Sequence, residues 1–579
     1  MQQFAKGVNM KNYPNYNCLK FDTFRELIDK AAALEDKAAF RFKDGEKAVE
    51  ISYKEFRDEV LKLTRAFAAM GIDNGHIAIV GENSYRWINV FMSLLNSNAT
   101  AVPVDKELPE EDMLNVISSS DSHIVFYSES FEEFMQKNCD RLKNVELFVK
   151  FSPWREAEIK KEHNTEGRFT TLDDVLSFGE ASDTPIPGIT QRDTNAVKLI
   201  VYTSGTTGLA KGVMLTEKNI SSCVFGGISL AKLEGRCLSV LPYHHTYASV
   251  CDIIGGLASH VTICINETLR TVLPNLKEYK PNYMFLVPRY LEVFHERIWK
   301  EAERTGKANL LRRMIKVSNL LLKVKIDLRK VFFKSVRAAF GGELEFLMCG
   351  GALLRPDLGD FFESIGLPVV IGYGITECSP LVSANRNKFY DVRSIGLPIP
   401  GITVKISNPN EEGIGEIAVK GPSVMKGYYK NEEATRDAIR DGWFYTGDYG
   451  CVNEKGQLAM KGRKKDIIVL SNGKNIYPEE IEGYIATIPA VSEVVVYSLE
   501  NNVGDETALC AQVYIAPEDA KKLSLKNAEE KIAYLSAKIK EKLASLPSYK
   551  QIRRIVVREI EFEKTTTKKI IRSKVPKTL

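Results

Sequence analysis

No uncharged apolar stretch of this 579-residue chain approaches the ~18 residues that a membrane-spanning helix needs. The first twenty residues, Met1 to Lys20, also lack the apolar core of a secretory signal. Ten cysteines are scattered singly from Cys18 to Cys510 with no C-x-x-C pair. That argues against a disulfide framework or a zinc site and suits reduced thiols. Charge of one sign is scarce too: 79 Lys and Arg against 75 Asp and Glu leave +4, too little to make nucleic acid the main partner. No internal repeat or low-complexity tract is visible. What remains is an ordinary globular composition, 44% apolar and 27% charged. The expectation is a cytoplasmic protein, soluble or at most peripheral to the inner face of a membrane, and too long for one core.

From about residue 20 to 260, helical patterns alternate with short β-rich runs. Phe24-Leu27-Ile28-Ala31 has helical spacing, while Ile77-Ala78-Ile79-Val80 and Ala101-Val102-Pro103-Val104 read as strands. This predicts α/β architecture with a largely parallel sheet. After residue 400 the chain turns β-rich, with Gly401–Val404 and Gly415–Val419 as strands, and a second α/β unit begins near Lys464. There Pro478 opens a helix, and Ile532, Leu535, Ile539 and Leu543 mark the core face of another, ended by Pro547. The division expected is 1–463 and 464–579.

The most informative run is Thr203-Ser204-Gly205-Thr206-Thr207-Gly208-Leu209-Ala210-Lys211. Its glycines let a backbone turn tightly and bring N–H groups close to an anion; its hydroxyls and lysine add donors and one positive charge. The lysine does not directly follow the last glycine, and Gly212-Val213-Met214-Leu215 continues as strand rather than helix. Both facts exclude a P-loop and predict a hairpin that grips polyphosphate. Further along stand Cys349-Gly350-Gly351-Ala352, then Gly372-Tyr373-Gly374-Ile375-Thr376-Glu377 after the strand Val369–Ile371. The first lets a flat ring approach the backbone; the second offers an aromatic face, a hydroxyl and a carboxylate. Asp448, in Tyr445-Thr446-Gly447-Asp448, is placed to accept from ribose hydroxyls. Gly462-Arg463-Lys464-Lys465-Asp466 sits at the expected boundary. Singly, each is more often a core aromatic, a helix cap or a turn acid.

Taken in order, these phrases and Asn472-Gly473-Lys474-Asn475-Ile476-Tyr477-Pro478-Glu479-Glu480-Ile481-Glu482 resemble the adenylate-forming superfamily, over nearly the whole chain. Within it, Leu286–Glu292 followed by a long basic insert, Leu241–Tyr247 and Phe562–Ile570 are similar to long-chain fatty acid–CoA ligases. The resemblance implies a large N-terminal, multi-subdomain α/β unit plus a small mobile α+β C-terminal domain turning about Arg463–Asp466, with Lys465 as pivot. It implies ATP, Mg²⁺ and coenzyme A as cofactors and co-substrates, and a fatty acid as substrate. A carboxylate attacks the α-phosphorus of ATP, pyrophosphate leaves, and the thiol of coenzyme A then displaces AMP.

On that reading Thr203, Ser204, Gly205, Thr206, Thr207, Gly208 and Lys211 hold the β- and γ-phosphates. Glu377 carries Mg²⁺ beside the Thr376 hydroxyl. Gly350, Gly351, Ala352, Tyr373 and Gly374 flank adenine, and Asp448 and Arg463 grip the ribose. Lys569 reaches between carboxylate and α-phosphate, while Gly473 and Lys474 line the pantetheine passage. His245 positions the carboxylate or the thiol, at the mouth of an acyl slot from Tyr243 to Leu257 with room left by Gly255-Gly256. Two positions depart from the pattern: Ala248 replaces an acid common in long-chain members, and Lys568 replaces a glycine, leaving two candidate lysines.

From Arg312 to Arg337 there are nine Lys or Arg against one Asp327, with Leu320, Leu321, Val324 and Leu328 on one side of what the pattern predicts as one long helix. It reads either as a solvated helix or as a cationic amphipathic surface on anionic membrane. A homodimer is left open. So are a ligase for another acid, aromatic or medium-chain, transfer to an acyl carrier protein, and a nucleotide-binding membrane protein without catalysis.

Overall fold

A computed structural model describes residues 16, 18–45, 47–152, 167–186, 193–203, 210–386, 390–470, 475–499, 508–564 and 570–576. They fall into two compact units, Met1–Val404 with Val419–Phe444, and Lys405–Ala418 with Tyr445–Leu579.

The first unit is built on two large sheets. One runs Gly427–Tyr428, Lys211–Thr216, Val197–Thr203, Thr100–Val104, His76–Val80, Ser122–Ser128, Leu147–Phe151, Phe169–Thr171. From Val197–Thr203 onward every pairing is parallel, as the alternation of apolar runs and helices predicts, since parallel neighbours need a crossover between them. The helix Tyr85–Asn96 supplies the one between His76–Val80 and Thr100–Val104, and starts where the Ser84 hydroxyl accepts from the Trp87 N–H at 3.2 Å. Lys211–Thr216 and Gly427–Tyr428 close this sheet with antiparallel pairings.

The second sheet has nine strands, in the order Leu397–Pro398, Leu381–Ala384, Val369–Gly374, Phe346–Cys349, Tyr283–Leu286, Arg236–Ser239, Thr262–Ile265, Ala38–Asp44, Lys47–Ser52. Its middle is parallel and both ends are antiparallel. Ligands of such sheets bind beyond the carboxyl ends of the parallel strands. Here those ends carry Gly350 and the segment leading to Glu377.

The basic insert departs from the expected single helix. It breaks into Ala308–Lys323, Arg329–Phe332 and Lys334–Ala339, after a helix Pro288–Arg304. Gly306 and Lys325 take left-handed conformations, φ 68° and 63°, and stop the turns that precede them. The Asp327 carboxylate accepts from the Arg329 N–H at 3.1 Å, which restarts the chain in a new direction. Leu328 therefore does not share a helix with Leu320 and Leu321.

The second unit holds most of a five-stranded antiparallel-edged sheet that includes Trp443–Val452 paired with Leu458–Arg463. The edge strand of this sheet begins at Thr403 rather than Gly401, which turns at φ 88°. A three-stranded sheet, Glu493–Leu499, Ala508–Tyr514 and Arg554–Arg558, mixes antiparallel and parallel pairs. Helices Pro478–Ile485 and Ala528–Leu543 bury Ile481, Ile485, Leu535, Ile539 and Leu543 in one cluster with Leu509 and Val513. Ile532, assigned to that core by periodicity, is 38% exposed and lies outside the cluster.

Candidate active site

The glycine- and threonine-rich run is flanked by an antiparallel pair, with Thr203 opposite Lys211 and Tyr202 opposite Gly212. The Thr203 hydroxyl donates to the Lys211 carbonyl at 3.5 Å. Ser204, Gly205, Thr206, Thr207 and Gly208 lie outside the described residues. The hairpin is held at its exit. The Tyr429 N–H donates to the Gly212 carbonyl at 2.7 Å and the Lys426 N–H to Met214 at 3.0 Å, adding Gly427–Tyr428 as a strand. A capping box fixes the next helix: the Thr216 hydroxyl accepts from the Asn219 N–H at 3.1 Å. The Asn219 amide then donates to the carbonyls of Pro422 and Val424 at 2.7 and 2.9 Å, tying the helix to the segment that leads into the added strand.

That strand carries a residue which sequence reasoning missed. The Tyr428 hydroxyl donates to Glu377 Oε1 at 2.8 Å, and the Lys211 ammonium lies 5.1 Å from the centroid of the same ring. One aromatic side chain thus joins the hairpin's lysine to the carboxylate after the Val369–Gly374 strand. Burial, reinforced by the neighbouring Glu377 carboxylate, pushes the Tyr428 phenol well above its ordinary pKa, so it stays a donor. The Met425 N–H donates to the Glu377 carbonyl at 2.8 Å, pinning the backbone as well. No motif spacing reaches across the 51 positions that separate the partners.

Glu377 is half-buried, and among the described residues no Lys, Arg or His forms an ion pair with it. A carboxylate held through one oxygen, with no basic partner among the described residues, fits a hard cation. No described cluster of three or more His, Cys, Asp or Glu side chains could hold a metal alone. The arrangement therefore suits an ion held jointly by one carboxylate and a phosphate-bearing substrate. Thr376 begins the short turn Thr376–Cys378. Gly374 is required there: a Cβ would stand 2.3 Å from the Pro380 carbonyl oxygen.

Gly351 and Ala352 are exposed beyond the carboxyl end of Phe346–Cys349, with Gly351 at φ 79°. A Cβ on Gly350 would lie 3.2 Å from both the Gly372 carbonyl oxygen and Tyr247 Cζ. Tyr247, from the expected acyl segment, donates through its hydroxyl to the Met348 carbonyl at 3.1 Å. Tyr373 is buried, opposite Ser383 in the sheet.

The expected acyl segment contains a π-helix, Tyr247–Ile254, a form concentrated at functional sites. His245 precedes it, its carbonyl accepting from the Ser249 hydroxyl at 3.1 Å and its ring packing 4.2 Å from that of His244. His244 Nε2 lies 3.4 Å from Asp105 Oδ2. Gly255 and Gly256 do not leave open room. Ile228 Cγ2 would stand 3.4 Å from a Cβ on the first, and Ile263 Cδ1 3.0 Å from one on the second, so both glycines allow close packing instead. Within the π-helix Asp252 is fully buried, bonded to the Cys237 thiol at 3.2 Å, and burial pushes its carboxyl up to about 6.

In the second unit Asp448 and Arg463 face each other across paired strands, Nε to Oδ1 at 2.9 Å, with Asp448 fully buried. Lys464 pairs with Glu416 at 2.8 Å. Next to them Glu479 is pushed up to about 7 by burial, against the opposing pull of Arg572. Gly473, Lys474, Lys568 and Lys569 lie outside the described residues.

A carboxylate and a lysine gathered beside a glycine- and threonine-rich hairpin invite comparison with known nucleotide enzymes. The AMP-binding enzyme model matches residues 27–429, and the AMP-binding enzyme C-terminal domain model matches residues 465–579. The chain belongs to the AMP-binding enzyme family. As a member it has the adenylate-forming fold, a large N-terminal α/β domain and a small C-terminal one. This AMP-binding enzyme is 26% identical to the long-chain-fatty-acid–CoA ligase FadD15 of Mycobacterium bovis, over 89% of this chain and 88% of that protein. It is 26% identical to the chloroplastic long-chain-fatty-acid–[acyl-carrier-protein] ligase AEE15 of Arabidopsis thaliana, over 77% and 70%. Among solved structures, the anthranilate CoA ligase AuaEII in complex with anthranoyl-AMP superposes with a TM-score of 0.74 at 17% identity, covering 98% of each chain.

Proposed function

We propose that this adenylate-forming ligase activates a long-chain fatty acid with ATP and passes the acyl group to coenzyme A, releasing pyrophosphate and then AMP. The observation that supports it best is the Lys211–Tyr428–Glu377 set, which offers a cation and an anion from one ring at the mouth of the hairpin. Adenylation brings a carboxylate against a triphosphate, so the task is to hold and neutralise negative charge rather than to supply a nucleophile.

In this reading the hairpin with Thr203 and Lys211 receives the β- and γ-phosphates. Glu377, oriented by Tyr428, would hold Mg²⁺ with the substrate, and that ion supplies charge neutralisation when bound. The exposed Gly351-Ala352 backbone takes the adenine edge beside Tyr373 and Gly374. Asp448, released from Arg463, accepts from ribose hydroxyls. Lys569 stabilises charge between carboxylate and α-phosphate, Gly473 and Lys474 receive pantetheine, and the Arg463–Asp466 segment turns about Lys465 between the two half-reactions. His245 orients the acid. The chain works in the cytoplasm.

The FadD15 likeness over 89% of the chain favours coenzyme A and a long-chain acid; the AEE15 likeness favours a carrier-protein acceptor. Pyrophosphate release measured over a panel of acids, with coenzyme A, with a carrier protein and with neither, separates them. Palmitate-like acids with coenzyme A are expected to be fastest. A benzoate-type or short acid that outpaces them would end the substrate assignment, and thioester formed only on the carrier protein would reassign the acceptor.

A further inference from the structure

Seven of the fifteen exposed large apolar residues among those described fall in one short stretch of the first unit, between Leu310 and Val331. Scattered single exposures are normal; a concentration of this kind marks an interaction surface. On the helix Ala308–Lys323 and its end, Leu310, Val317, Leu320 and Val324 recur at spacings of seven, three and four and form one exposed ridge, with Leu320 65% and Val324 63% exposed. Ile326, Leu328 and Val331 continue it, the last 70% exposed.

The opposite face anchors the helix. Leu311 and Ser318 are buried, the Ser318 hydroxyl donates to the Ser364 carbonyl at 3.4 Å, and the Arg312 guanidinium sits 5.1 Å over the Trp299 ring. The ridge is therefore held outward by packing and is not a side of the helix awaiting this chain's own core.

Charge around the ridge is equally one-sided. The preceding helix shows how ordinary surface cations behave here: Arg289 pairs with Glu292 at 2.9 Å, Lys300 with Glu296 at 2.5 Å and Arg304 with Glu301 at 2.7 Å. Along the ridge the only acid, Asp327, is occupied by Arg329 at 2.7 Å. Arg313, Lys316, Lys323, Lys325, Lys330 and Lys334 have no salt bridge among the described residues.

We propose that this ridge and its cations form a docking surface for an anionic lipid membrane. A ridge of aliphatic side chains flanked by long, mostly lysine cations is the composition of a helix lying in the headgroup layer, where apolar residues insert and cations meet anionic headgroups. Protein interfaces, by contrast, are depleted of lysine. The surface would hold the enzyme where long-chain acids partition; that benefit rests on the proposed substrate, the docking itself does not.

The test uses the full-length protein and vesicles of phosphatidylcholine with and without phosphatidylglycerol. Native protein is expected to pellet with the anionic vesicles only, and less as salt rises. Leu320→Asp/Val324→Asp and Arg313→Glu/Lys316→Glu change exposed side chains outside the phosphate hairpin, and each is expected to weaken vesicle partitioning about tenfold or more. Both should keep native melting and native pyrophosphate release with a water-soluble acid. Equal pelleting on neutral vesicles, or unchanged pelleting of both variants, overturns the proposal. So does a change of oligomeric state by light scattering with vesicle binding intact, which would assign the ridge to a second copy. Failure of the acid panel with vesicle binding intact would remove the ligase reading alone.

Discussion

Replacing Tyr428 by phenylalanine removes one hydroxyl and leaves the ring beneath Lys211. The bond lost is a 2.8 Å contact to a carboxylate oxygen, and hydrogen bonds of that class contribute about 1.5–3 kcal/mol. That matches the about 10–100-fold loss typical when the support of a metal-bearing side chain is removed. The contact between Lys211 and the ring, about 0.5–1 kcal/mol at an accessible site, survives this substitution because the aromatic face is kept. Tyr428→Leu removes both interactions and is expected to fall further. Tyr428 is 8% exposed and its strand pairing is through the backbone, so melting should drop by no more than about 2–4 °C. The assay is pyrophosphate release against ATP at several Mg²⁺ concentrations, with direct titration of ATP binding in the absence of Mg²⁺. Tyr428→Phe is expected to lose about tenfold or more in kcat/KM for ATP at limiting Mg²⁺, to recover partly at high Mg²⁺, and to bind metal-free ATP as the native protein does. Activity and Mg²⁺ dependence within about twofold of native would refute the idea that this hydroxyl orients Glu377.

Lys569→Ala is expected to lower acyl-adenylate formation about 10²–10³-fold while ATP binding by titration is retained; unimpaired adenylation would move the role to Lys568 or elsewhere. Glu479 binds its proton more tightly folded, at about 7, than at its ordinary 4.5. The folded state therefore loses stability as pH rises through that window, by about 3 kcal/mol at most, and stays lowered above it. Glu479→Gln should accordingly melt higher than native at pH 8 and level with it near pH 4, and a pH-independent difference would reject the assignment. Gly374→Ala drives a Cβ to 2.3 Å from the Pro380 carbonyl. It should cost about 1–3 kcal/mol in urea unfolding and weaken ATP binding by shifting the Thr376–Glu377 turn, whereas native-like values would show that the turn yields freely.

The alternating apolar runs and helix starts determined by themselves that the first unit is α/β, because a buried parallel strand such as His76–Val80 and its crossover helix leave a local pattern. The order of short phrases likewise pointed to the family without any contact being known. Breaks in the basic insert were only partly legible: Gly306 stands in the chain, yet the left-handed turn at Lys325 depends on the packing around it. Tertiary structure alone decided that Tyr428 lies between Lys211 and Glu377, that Gly255 and Gly256 are packed by Ile228 and Ile263, and that Leu320 and Val324 point outward. Periodicity tells which residues share a face of one element. It carries no information about which element, or which solvent, meets that face.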